Sequence, residues 1–112
     1  MTLKQGLNMR TTDFGLKPQS LKMIQEALAQ FPQIQEALII GSRAMGHYKR
    51  GSDIDIALKG SNITETILAK IKGKLEDELP LPYLFDVIHY ETIKNLELKK
   101  HIDTYGKSII IS

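Results

Sequence analysis

The chain has 112 residues, 42% of them apolar, with 15 Lys and Arg against 13 Asp and Glu, which gives a net charge of +2. This size and composition predict one small globular domain and exclude disordered or collagen-like chains, and the small charge gives no reason to expect direct nucleic-acid binding. No apolar run is long enough to cross a bilayer or to form a signal-peptide core, and the absence of cysteine excludes disulfides and thiolate metal sites, so we expect a cytoplasmic protein without membrane contact.

The beginning of the chain predicts an arm followed by one helix. Residues 1–16 show no regular apolar pattern, so we interpret them as an N-terminal arm and residues 17–112 as the domain. Pro18 is favourable at the start of a helix, and apolar residues then recur at three- and four-residue steps as far as Phe31. This spacing predicts a helix with one buried face, which ends at Pro32.

Two short strands are predicted next. Residues 36–40 are mostly apolar and stop at Gly41, which predicts a buried strand that ends in a tight turn, with a short helix over 42–46. Residues 53–58 alternate, which places isoleucine and leucine on one face of a strand and two aspartates on the other.

The remaining residues predict two more helices and two more strands. One helix opens at Asn62 in a capping-box pattern and ends near Pro80. Residues 83–90 alternate as a strand that carries one acid, and residues 92–105 form a helix. The apolar tail, 108–111, is strand-like and is expected either to be covered by a partner or to pair within its own sheet. Together these elements predict an α/β (α+β) fold, a mixed sheet covered by helices in a single domain.

Three acids on the predicted strands indicate a metal site. Asp53 and Asp55 lie two residues apart, so both carboxylates face the same side of the sheet. Asp86 lies on another predicted strand and joins them if the two strands are neighbours. Unpaired carboxylates repel one another unless a cation lies between them, and oxygen ligands of this kind suit Mg²⁺. The alternative interpretation is a polar strand edge with solvated acids.

The turn at Gly41 and Ser42 indicates an anion site. It follows a buried strand and precedes a helix, so its backbone N–H groups and the Ser42 hydroxyl can face a phosphate. Arg43 is adjacent, and a guanidinium binds phosphate through two hydrogen bonds. Taken alone, the Gly-Ser pair is better explained as a plain turn, and Lys49 and Arg50 are better explained as solvated loop charges.

The other motifs considered do not indicate a function. The chain has neither a Walker-type loop nor a dinucleotide glycine fingerprint, and Ser42 lacks the surroundings of a hydrolase nucleophile. The histidines have no metal-site spacing and are interpreted as structural or exposed. They are His47, His89 and His101.

One signature in the chain resembles a known family. The runs Gly41–Gly46 and Ser52–Asp55, with ten residues between Ser42 and Asp53, resemble the Gly-Ser…Asp-x-Asp signature of the minimal nucleotidyltransferase (MNT) domain in the DNA polymerase β-like superfamily. The order of the predicted elements is similar as well, including the later strand acid, Asp86. The resemblance implies a nucleotidyltransferase-like fold.

The resemblance also implies roles for single residues. In the family the Gly-Ser turn binds nucleotide phosphates, the Asp pair holds two Mg²⁺ ions, and the later acid completes the site and can serve as the base. Family members often have a second arginine where this chain has Met45, which leaves Arg43 to contact phosphate alone. The implied nucleotide-binding residues are Gly41, Ser42 and Arg43. The implied catalytic and metal-binding residues are Asp53, Asp55 and Asp86.

The implied activity is Mg²⁺-dependent nucleotidyl transfer from ATP or another nucleoside triphosphate. Because the chain is short and shows no second domain for an acceptor, we expect another macromolecule to supply it. MNT proteins commonly pair with a HEPN-domain toxin, in a hetero-oligomer whose MNT subunit is the antitoxin and adenylylates a tyrosine of the toxin. The alternatives are a non-enzymatic antitoxin that masks its partner and, with less support, transfer to a small molecule.

Overall fold

The protein, described from a computed structural model over residues 14–111, has four α-helices and four strands in that part of the chain. The helices are α1 (Pro18–Leu28), α2 (Gly41–Met45), α3 (Glu65–Gly73) and α4 (Leu96–Tyr105). The strands are β1 (Glu36–Ile40), β2 (Ile54–Lys59), β3 (Phe85–His89) and β4 (Lys107–Ile111). A π-helical turn, Lys74–Glu78, continues α3, and a 3₁₀ turn, Tyr90–Thr92, follows β3. No helix in this range is long and apolar enough to span a membrane.

The strands form one mixed sheet in the order β3-β2-β1-β4. β1 is antiparallel to both β2 and β4, whereas β2 and β3 are parallel. Parallel neighbours need a crossover connection, and α3 with its π-helical turn supplies it. The predicted mixed sheet covered by helices is therefore confirmed.

Each face of the sheet packs against its own helices. On one face, α1 and α3 bury Ile24, Leu28 and Ile71 against β1 and β2. On the other face, Ile102 of α4 packs against Leu38, Ile40 and Ala57. The alternation of β2 is as predicted, because Ile54, Ile56 and Leu58 belong to the first cluster and Ala57 to the second. Asp55 therefore lies on the α4 side of the sheet.

The predicted elements are all found, with differences at their ends. The cap predicted at Asn62 is wrong, because the Thr64 side chain caps α3 by accepting from the Ile67 backbone N–H at 3.1 Å. The last helix begins four residues later than predicted, at Leu96, because Asn95 caps it and a 3₁₀ turn fills the space after β3. Local hydrogen bonds at each start, rather than apolar spacing, fix these boundaries.

The two ends of the described chain belong to the fold. Most of the predicted arm lies outside the described residues, but Phe14 and Leu16 are buried in the larger core cluster. At the other end, the tail predicted as strand-like is β4, which pairs with β1. The interpretation that this tail pairs within its own sheet is therefore confirmed.

Candidate nucleotide and metal site

The sheet brings the predicted site residues to one edge. β1 ends where β2 and β3 begin, because β1 is antiparallel to β2 and β2 is parallel to β3. Asp55 is opposite Ile40 on one side and Asp86 on the other, so the two acids are direct neighbours on adjacent strands. Asp53 lies just before β2. The expectation that these strands are neighbours is confirmed.

The acids at this edge influence one another. The pKa of Asp55 is raised above its usual value of 3.8, mainly by burial and further by the negative charges of Asp86 and Asp53. The positive charge of Arg43 opposes this effect in part. Asp55 is half-buried, whereas Asp53 and Asp86 are exposed. A cation at this edge would relieve the repulsion between the three carboxylates.

The carboxylates do not form a closed coordination shell as they stand. Within residues 14–111, no group of three His, Cys, Asp or Glu side chains is close enough together to hold a metal ion. The donor set nevertheless consists of carboxylate oxygens alone, which fits Mg²⁺ better than the nitrogen- and sulfur-bound Zn²⁺. Metal binding by these acids stays a prediction.

Gly41 allows Asp55 to approach the backbone closely. Its φ is +73°, a left-handed conformation that glycine adopts without cost. A Cβ at this position would lie 2.6 Å from Oδ2 of Asp55, which is closer than real Cβ atoms come. The glycine predicted to bind phosphate thus also sets the position of a predicted metal ligand.

Ser42 lies beside this glycine in the first turn of α2 and is half-buried. Its carbonyl accepts from the backbone N–H groups of Gly46 and His47, at 3.0 and 3.2 Å, which closes the short helix. The helix therefore fixes the backbone of the Gly41–Ser42 turn next to Asp55. Phosphate binding by this turn stays a prediction.

The structure places Arg43 inside the protein instead of with the other predicted site residues at the edge. The side chain is 3% exposed, and its guanidinium donates to the carbonyls of Ser52 and Phe14. The rings of Tyr48 and Tyr83 lie 5.2 and 5.0 Å from its Cζ atom. Three of its five N–H groups donate to these carbonyls, and the side chain as a whole is buried. Phosphate binding by Arg43 stays a prediction.

Sequence reasoning missed the two tyrosines around Arg43. Neither Tyr48 nor Tyr83 belongs to the signature, and the hydrogen-bond acceptors are backbone carbonyls, which any residue carries. No pattern in the chain could have indicated them.

The remaining charged and histidine side chains agree with their interpretation as structural or exposed. Lys49, Arg50 and His47 are exposed in the loop after α2. His89 is buried, with Nε2 2.7 Å from the Gly60 carbonyl oxygen. The His101 ring contacts Tyr105 at a centroid distance of 5.0 Å.

Comparison with known proteins gives a family model and several solved structures. The model, described as polymerase beta, nucleotidyltransferase, matches residues 22–112. No curated protein sequence matches the chain.

Several solved structures with a similar fold are toxin–antitoxin complexes. A toxin–antitoxin structure with AMP-PNP has a TM-score of 0.69 at 23% identity, and the match covers 82% of this chain and 73% of that chain. An MntA–HepT toxin–antitoxin structure has a TM-score of 0.66 at 19% identity, and the match covers 86% of this chain and 74% of that chain. A structure of the tri-AMPylated Shewanella oneidensis HEPN toxin in complex with an MNT antitoxin has a TM-score of 0.59 at 17% identity, and the match covers 82% of this chain and 73% of that chain. At these identities the likeness establishes the fold.

Proposed function

This chain belongs to the polymerase β nucleotidyltransferase family, and we propose that it transfers AMP from ATP to a tyrosine hydroxyl of a HEPN-type toxin, for which it is the antitoxin. The observation that carries the proposal is the pairing of Asp55 with Asp86 beside the Gly41 turn. The two acids and the glycine turn lie at the same edge of the sheet, which supports a metal ion and a phosphate bound next to each other. The proposed metal is Mg²⁺, held by Asp53, Asp55 and Asp86.

The proposed partner and nucleotide are supported by the proteins of similar fold. Those structures include an MNT antitoxin with a HEPN toxin that carries AMP groups, and a toxin–antitoxin complex with an ATP analogue. The order of the Gly-Ser turn and the strand acids, on which the resemblance to MNT domains rests, agrees with this proposal. Residues 14–111 are taken up by one sheet and the helices around it, so we propose that a partner protein supplies the acceptor.

The chemistry is an in-line displacement at the α-phosphorus of ATP. The tyrosine oxygen forms a bond to that phosphorus while the bond to the bridging oxygen of the β-phosphate breaks, and pyrophosphate leaves. Mg²⁺, when bound, neutralises charge on the phosphates and lowers the pKa of the attacking hydroxyl. The Gly41–Ser42 turn orients the phosphates, and Asp86 accepts the tyrosine proton at its carboxylate. A free tyrosine has a pKa of about 10, so it needs such help at neutral pH.

A mass measurement tests the proposal. The purified chain, ATP and MgCl₂ are incubated with the protein encoded by the neighbouring gene, as the candidate HEPN-type toxin, and the intact mass of that protein is followed. We expect one or more AMP additions, which are lost when Asp53→Asn replaces the wild type and when EDTA replaces MgCl₂. An unmodified partner at all times, with wild-type enzyme in excess, would contradict the proposal.

A second candidate function is a binding antitoxin without enzymatic activity. It is favoured by one observation, that residues 14–111 hold no ready-made group of three metal ligands. In that case the chain suppresses the toxin in a stable complex whose strength does not depend on ATP, Mg²⁺ or Asp53. Toxin suppression that survives Asp53→Asn in full would favour this function over the first.

A further inference from the structure

We propose that Arg43 is a positioning residue, which holds the segment carrying Asp53 against the Gly41–Ser42 turn from inside the protein without touching phosphate. The proposal rests on the proposed function for its kinetic consequences. Its structural claim is independent of that function, because it concerns how two parts of the edge are fixed to each other.

The hydrogen bonds of Arg43 join segments that are far apart in the chain. Nε and Nη2 both donate to the Ser52 carbonyl, at 3.2 and 2.8 Å, and Nη1 donates to the Phe14 carbonyl at 2.8 Å. Ser52 directly precedes Asp53, and Arg43 directly follows the Gly41–Ser42 turn. A single buried side chain thus connects both halves of the signature, through charge-assisted hydrogen bonds.

Two aromatic rings complete the surroundings of the guanidinium. Its Cζ atom lies 5.2 Å from the centroid of the Tyr48 ring and 5.0 Å from that of Tyr83, within the range of cation–π interactions. Tyr83 shortly precedes β3, the strand of Asp86, and Tyr48 lies in the loop that leads to Asp53. The loops before both acid-bearing strands therefore meet at this one cation.

Tyr48 also ties the beginning of the described chain to this cluster. Its ring lies where a Cβ on Gly15 would be, and Phe14 and Gly15 both have positive φ angles, of 57° and 74°. Non-glycine residues seldom adopt such angles, so the surrounding contacts hold this turn in place. The Arg43 bond to the Phe14 carbonyl is one of those contacts.

The charge of Arg43 remains close to the acids. Within residues 14–111 it makes no ion pair, because its acceptors are carbonyls. Lysine would keep this charge, but it lacks the planar fork that donates to two carbonyls beside the two tyrosine rings. The geometry therefore requires arginine, whereas a phosphate contact would accept lysine in part.

The test compares Arg43→Lys and Arg43→Gln with Arg50→Gln, which removes an exposed arginine from the loop after α2. Rates of AMP transfer are measured against ATP and MgCl₂ concentration at a temperature where all variants are folded. If Arg43 positions the acids, kcat falls by roughly 10- to 100-fold in both Arg43 variants and more Mg²⁺ is needed, while the KM for ATP stays within about threefold. Arg50→Gln behaves like the wild type.

A role in phosphate contact gives a different pattern. Lysine then rescues much of the activity lost in Arg43→Gln, and the loss appears in the KM for ATP. A merely structural role lowers the melting temperature but leaves kcat and the Mg²⁺ requirement unchanged below it. Either pattern would overturn the proposal.

Amide hydrogen exchange tests the structural claim without activity. We expect Arg43→Lys to speed exchange at residues 41–46 and 52–55 while β1 and β4 stay protected, and Arg50→Gln to change neither. Unchanged exchange at both segments would overturn the proposal, whether or not the wild type transfers AMP. An inactive wild type would instead contradict the proposed function, and the hydrogen-exchange result alone would then test the positioning role of Arg43.

A second variant is available if Arg43→Lys does not fold. Tyr48→Leu removes one of the ring contacts of Arg43 at a 37% exposed position, and it is expected to speed exchange at the same two segments.

Discussion

At the scale of single residues, the candidate site depends on how closely Asp55 approaches its neighbours. The Asp55 carboxylate lies close to the backbone of Gly41, and Asp55 pairs with Asp86 on the neighbouring strand. Both neighbours restrict where this side chain can lie. The residue types at these positions could be identified from the sequence, because they belong to a recognisable signature. The distance between Asp55 and Gly41 could not, because it depends on the register of β1 and β2.

Gly41→Ala should displace the Asp55 carboxylate. The new Cβ would meet Oδ2 of Asp55, and the left-handed backbone adds roughly 1 kcal/mol of strain. Gly51→Ala is the matched control, because Gly51 has a similar φ of 76° and a Cβ there would have no atom within 4 Å. We expect both variants to lose similar stability, but only Gly41→Ala to lose the rise in melting temperature on adding MgCl₂ and ATP. Equal responses to MgCl₂ and ATP in the two variants would contradict this.

Asp55 should make the metal-free protein less stable as the pH rises. Because its pKa is raised in the folded state, the folded protein holds this proton more tightly than the unfolded chain does. Stability is therefore lost as the pH rises from about 4 through the raised pKa. Asp55→Asn should remove this loss and raise the melting temperature by a few degrees at neutral pH in the absence of metal. Urea unfolding of both proteins across this pH range tests it, and identical pH profiles would show that the pKa of Asp55 is not raised in the folded state.

At the scale of elements, periodicity identified every strand and helix, but not their order in the sheet. The alternation of β2 and β3 placed Asp55 and Asp86 on defined faces, and the sequence predicted a shared site only if the strands were neighbours. That neighbourhood results from the crossover through α3, which no local pattern encodes. The cap of α3 was misassigned for a related reason, since Asn62 and Thr64 are both good capping residues and only the backbone conformation selects one.

Thr64→Ala should therefore destabilise the protein by about 1 kcal/mol, the usual cost of losing a side-chain cap. Asn62→Ala, two residues earlier and exposed, is the control and should change the free energy of unfolding far less. Both are measured by urea unfolding. A larger effect at Asn62 would show that Asn62 caps α3, as expected from the sequence.

At the scale of the whole molecule, the described residues form one sheet covered by helices, with Asp55 and Asp86 together at one edge of the sheet. Several large apolar side chains remain exposed, among them Leu84, Leu96 and Ile111. Leu84 is 64% exposed and lies two residues before Asp86, so an exposed apolar side chain is close in the sequence to one of the proposed catalytic acids.

Co-expression with the protein encoded by the neighbouring gene, the proposed HEPN-type partner, should give a complex that persists through gel filtration. We expect Leu84→Ser to weaken this complex, because it removes an exposed apolar contact beside the acids, while the melting temperature of the chain alone changes little. Lys94→Ser, at another exposed position, is the control. A chain that elutes alone in the presence of its partner would contradict the proposed pairing.

The edge formed by Asp55, Asp86 and the Gly41 turn is proposed to carry out AMP transfer as well as ATP binding. Asp86→Asn keeps the size of the side chain and removes its charge, so ATP should still bind with Mg²⁺ through Gly41, Ser42 and the other two acids. The most direct measurement is the rate of AMP transfer to the HEPN-type partner at saturating ATP and MgCl₂, with ATP affinity determined by calorimetry on the same preparation. We predict that transfer falls by roughly 10²-fold or more, the usual scale for loss of a general base, while affinity changes little. Transfer at the wild-type rate in Asp86→Asn would contradict the three-carboxylate account of this site.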